Sequence, residues 1–132
     1  MATDTNVHHV DVKLAGCSAK DARVVFGALA EHFTTEQGPG EVTEAHEGER
    51  PVIRYAHYDT SECRPSQGPK RISGEVSAYL SGQPTAVREA RGALMGDFAA
   101  EDRGSSLGDQ EMEQVLCLTS GPERTSGGQG KR

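Results

Sequence analysis

Tryptophan is absent from this chain, aromatic residues make up only 5% of it, and no apolar run approaches the length needed to span a bilayer. The first two shortages leave little with which to stack bases. An excess of acidic residues, 20 against 14 Lys and Arg for a net charge of −6, adds repulsion from a phosphate backbone. Nucleic acid and membrane are therefore not expected partners. The N-terminal letters MATDTNVHHVDV contain neither a basic n-region nor an apolar h-region, which predicts a cytosolic protein. Cysteine is scarce as well: Cys17, Cys63 and Cys117 form no Cys-x-x-Cys pair, which argues against a disulfide framework and a structural zinc finger. No resident cofactor or metal is implied.

What the chain does contain is enough apolar residue, 34% of 132, to fold as one domain. The core is small for that length, so a second subunit or a ligand is a natural source of added stability. Alternation of Val10, Val12 and Leu14 with His9, Asp11 and Lys13 predicts a half-buried first strand. Gly16 and Cys17 turn the chain into Ser18, an N-cap residue with Asp21 three positions on, which predicts a helix start. Ala22, Val25, Phe26, Leu29 and Phe33 recur at helical spacing, and the run ends before Gly38-Pro39-Gly40.

Residues 34–51 carry five glutamates among small residues and read as a mobile loop, with room for a short strand around Val42. VIRYAHY at 52–58 predicts a second strand whose facing the letters leave open. A polar loop at 59–70 precedes a third strand from Ile72 to Leu80, with Glu75, Ser77 and Tyr79 outward. Pro84 opens a second helix carrying Val87, Ala90, Leu94 and Phe98. A loop at 101–113, a fourth strand at 115–118 and a flexible tail at 121–132 complete the chain, so the domain is placed at 1–120.

The phrase GALAEHF at 27–33 returns as GALMGDF at 92–98, and Val10, Leu14 and Gly16 align with Val76, Leu80 and Gly82. Two similar strand-helix units result. The βαββαβ order resembles the ferredoxin-like arrangement, an α+β sandwich with a four-stranded antiparallel sheet and two helices on one face. That resemblance implies a fold and no activity. It also stops short of the small metallochaperones of that fold, since GCSAKD has no second thiol.

Two function classes follow. A non-enzymatic binding or regulatory module, acting through a homodimer or a protein partner, is suggested by Gly92 and Gly96, which share the outward stripe of the second helix with Ala99. The alternative is a small-ligand or metal-binding domain, conceivable as an enzyme, on the open sheet face. His9, Asp11, Glu75 and Tyr79 are its candidate residues, joined by His57 if the second strand presents that side. His46 and its glutamate neighbours read as a solvated acidic loop ahead of a cation cluster, Cys17 at a helix start reads as an inert turn cysteine ahead of a reactive thiol, and Cys117 reads as a small core residue. No catalytic pair stands out.

Overall fold

The computed structural model describes residues 8–43, 52–65, 67–108 and 110–121, for 36–43 and Val52 through the backbone alone. The His46 cluster and the tail from 122 lie outside the described residues. The chain runs β1 (His9–Ala15), α1 (Ala19–His32), β2 (Thr34–Thr43), β3 (Val52–Asp59), β4 (Val76–Gly82), α2 (Pro84–Asp97), β5 (Ala99–Leu107) and β6 (Met112–Thr119). It is an α+β fold with two helices and one six-stranded antiparallel sheet, ordered β2-β3-β1-β4-β6-β5.

This corrects the four-stranded ferredoxin-like expectation at two places. The segments expected to be loops at 34–51 and 101–113 contain the edge strands β2 and β5. Their letters, TTEQGPGEVT and AAEDRGSSL, carry almost no apolar alternation, because an edge strand is held mainly by backbone hydrogen bonds to its one neighbour. Each pairing also contains a register shift, which breaks the period-two signal further. The first four strands do lie in the order 2-3-1-4, but α2 follows β4 instead of preceding it. Each half of the chain is thus a β-α-β-β unit, and the halves meet where β1 pairs with β4.

Side-chain alternation sends one face of the sheet inward. Val10, Val12 and Leu14 of β1 meet Val76, Ala78 and Leu80 of β4, Ala56 and Tyr58 of β3 and Leu116 and Leu118 of β6 in one core cluster. The helices cover this face: α1 contributes Ala22, Val25, Phe26, Ala28 and Leu29, and α2 contributes Ala86, Val87, Ala90 and Leu94. Ser18 caps α1 by accepting a hydrogen bond from the Asp21 amide at 3.0 Å. The repeated phrases end at equivalent places, with Phe33 and Phe98 as buried C-caps of the two helices.

Two polar arrangements hold the connections. Arg64 caps the end of α1, donating from Nε to the Glu31 carbonyl and from one terminal nitrogen to those of Ala30 and Phe33. Asp21 accepts from the Ser73 amide at 2.9 Å, the Ser73 hydroxyl and the Gly74 amide, which fastens the segment before β4 to the start of α1. These backbone donors, the Ser73 amide foremost, hold the Asp21 carboxyl below its ordinary value of 3.8. No helix among the described residues is long and apolar enough to cross a membrane.

Candidate metal centre

The sheet face opposite the helices has no layer over it among the described residues. Pairing places Asp11 of β1 directly opposite His57 of β3 on one side and Ser81 of β4 on the other. Directly paired residues of antiparallel strands point to the same face. Asp11 and His57 therefore share the open side, and His9 joins them because it lies two residues before Asp11 on the same strand.

The three side chains converge. His9 Nε2 lies 2.6 Å from Asp11 Oδ1, and His57 Nδ1 hydrogen-bonds the same oxygen. The imidazole rings stack at 5.6 Å between centroids with a 20° interplanar angle, and Tyr55 flanks His57 at 6.0 Å. One ligand atom from each of the three residues falls within 4.8 Å of the others. Their side chains are 35%, 40% and 26% exposed for His9, Asp11 and His57, so an ion held there would keep a side open to solvent.

The donor set decides what chemistry fits. Two imidazole nitrogens and one carboxylate oxygen suit a borderline divalent transition ion such as zinc, and suit calcium or magnesium poorly. Without an ion, both rings donate N–H bonds to one carboxylate oxygen. With an ion, the nitrogen lone pairs face the metal instead, and each neutral ring carries its proton on its other nitrogen.

Other residues singled out by sequence fall elsewhere. Glu75 lies just before β4, beside Gly16 and Cys17, at the end of the sheet opposite His9. It cannot join the cluster, because β4 runs antiparallel to β1 and its start meets the end of β1. Tyr79 is on the open face, directly opposite Lys13 and 44% exposed, but one row away from Asp11. Gly92 and Gly96 are exposed on α2, and a Cβ at either would meet nothing within 4 Å. Ala99 belongs to β5 and does not extend their stripe.

One cysteine needs a correction. Cys117 is on the open face: the core positions of β6 are Met112, Gln114, Leu116 and Leu118, and Cys117 has the opposite parity. Burial, the largest influence on Cys17, pushes its thiol up despite Arg54 nearby, in keeping with the inert turn cysteine expected there.

His57 was legible only conditionally, since VIRYAHY does not alternate clearly. The signal that settles its facing is the pairing with Asp11. A second polar pair escaped the sequence altogether: His32 and Asp97 end the two helices and meet at 3.0 Å between Nε2 and Oδ2 in the core. Comparison with protein-family models, with curated proteins and with solved structures gives no match.

Proposed function

We propose that this protein is a metal-binding domain that holds one divalent transition ion of the zinc class on its open sheet face, with His9, Asp11 and His57 as ligands. The observation that carries the reading is the convergence of three ligand atoms from two adjacent strands within 4.8 Å. Strands β1 and β3 make a rigid base for the ligands, since both are paired on two sides. Three protein ligands and a solvent-facing side leave coordination positions for water or a bound molecule, as open zinc sites do.

Native mass spectrometry of the untagged chain with added zinc tests this. One zinc per chain is expected, and its loss in His57→Ala; equal zinc retention by that variant would exclude the site. Self-association through Gly92 and Gly96 has less behind it, because exposure is all that the geometry adds there.

A further inference from the structure

Beside the three ligands lies an open cavity of about 400 Å³, lined by Lys13, Ala15, Ile53, Tyr79, Ser81, Glu113 and Val115 among others. That volume is in the range of small-molecule sites. Ser81 pairs directly with Asp11, and Lys13 follows Asp11 by two residues on the same face, about 6.8 Å along the strand. The cavity and the proposed metal therefore share a border.

Its lining is divided by chemistry. Lys13, two residues from Asp11, lines the cavity and makes no side-chain ion pair among the described residues. Away from it, Ala15, Ile53, Val115 and the ring of Tyr79 form an apolar wall. Glu113 stands on the far side of Ser81, one strand further from Asp11. A divalent ion held by one carboxylate and two neutral imidazoles keeps a net positive charge, and Lys13 adds another. Anionic oxygen is favoured at that end and an uncharged apolar body along the wall, where a second charge would be desolvated without a partner.

We infer that this cavity binds a small monocarboxylate with an apolar body, its carboxylate set between Lys13 and the open side of the metal. The inference rests on the metal-binding reading above. Cobalt(II) serves as a visible probe: it is titrated first into the metal-free full-length chain, and benzoate or benzylamine is then added to the cobalt-loaded protein.

Benzoate is expected to shift the cobalt absorption saturably, whereas benzylamine leaves it unchanged. Lys13→Met, an exposed substitution, is expected to bind cobalt as wild type does and to weaken benzoate about tenfold. Val115→Glu is expected to weaken benzoate with cobalt affinity unaltered. Cobalt uptake without a response to benzoate, or equal benzoate affinity in Lys13→Met, would overturn the carboxylate site and leave the metal site standing. Failure of the first titration would remove both together.

Discussion

Replacing His32 by alanine is expected to destabilise the fold far more than an exposed histidine would. Its side chain is 7% exposed, that of Asp97 is 0% exposed, and the two join the ends of α1 and α2. His32 Nδ1 donates to the Arg64 carbonyl at 2.7 Å, while Nε2 and the Asp97 carboxyl share a second proton at 3.0 Å. In His32→Ala the carboxyl of Asp97 stays buried without that partner, and the Arg64 carbonyl loses its donor. Breaking a buried pair from one side costs about 3 to 5 kcal/mol. A domain of this size holds a total of about 5 to 15 kcal/mol, and each kcal/mol moves its Tm by about 4 °C, so a fall of about 12 to 20 °C is expected.

The partner control is His32→Leu with Asp97→Leu, which removes both polar groups together. Its loss should be smaller than that of His32→Ala, because the buried Asp97 carboxyl goes with its partner and only the Arg64 carbonyl loses a donor. Urea denaturation of the wild type, His32→Leu, Asp97→Leu and the double variant closes the cycle. A cost under about 1 kcal/mol for His32→Ala, or a double variant as unstable as the worse single one, would refute the reasoning.

Three glycine positions should respond differently. Gly82→Ala drives a Cβ to 2.5 Å from the His9 carbonyl oxygen across the central strand pair, so it should cost more than Gly16→Ala, where only the positive φ of 70° is strained, at about 1 to 2 kcal/mol. Gly96→Ala, on α2 with open space around it, should stabilise by up to about 1 kcal/mol; thermal melts of the three variants read the order directly, and a Gly16→Ala protein less stable than Gly82→Ala would contradict it. Asp21 supplies a pH dependence: its carboxyl is lowered in the fold, so its stabilising contribution is present above the ordinary value of 3.8 and is lost as pH falls through the lower folded value. The Tm gap between wild type and Asp21→Asn should therefore narrow in acid, and a gap unchanged from neutral pH down to about 3 would count against it.

How far the letters carried can be seen element by element. Strand β1 and both helices were legible because their inward positions are apolar at the right period and because Ser18, Pro84 and the turn glycines mark the ends. The edge strands β2 and β5 were hidden, since β5 is exposed along nearly its whole length and its letters answer to solvent. Val42, where a short strand was expected, lies within β2. In β6, Gln114 occupies an inward position and is satisfied by Asp102, Gly104 and Val115, so a polar letter at a core site obscured the parity and misplaced Cys117.

For the site, His9 and Asp11 were legible as one face of one strand, because residues two apart share a side. His57 needed the register between β1 and β3, which depends on long-range pairing that no local pattern encodes. Glu75 was placed by extending the third strand back to Ile72, whereas the observed strand starts at Val76; the Asp21 hydrogen bonds hold Ser73 and Gly74 in another path. The same long-range pairing sets Lys13 and Tyr79 opposite one another beside the cluster.

The most direct test of the metal centre is a calorimetric titration of zinc into metal-free protein. One zinc per chain is expected, with affinity falling by more than about a hundredfold in His9→Ala, Asp11→Asn and His57→Ala, since losing even an outer partner of a ligand costs about 10- to 100-fold. Zinc uptake that is unchanged in His57→Ala, or no uptake by a folded wild-type chain, would contradict the assignment of His9, Asp11 and His57 as one site.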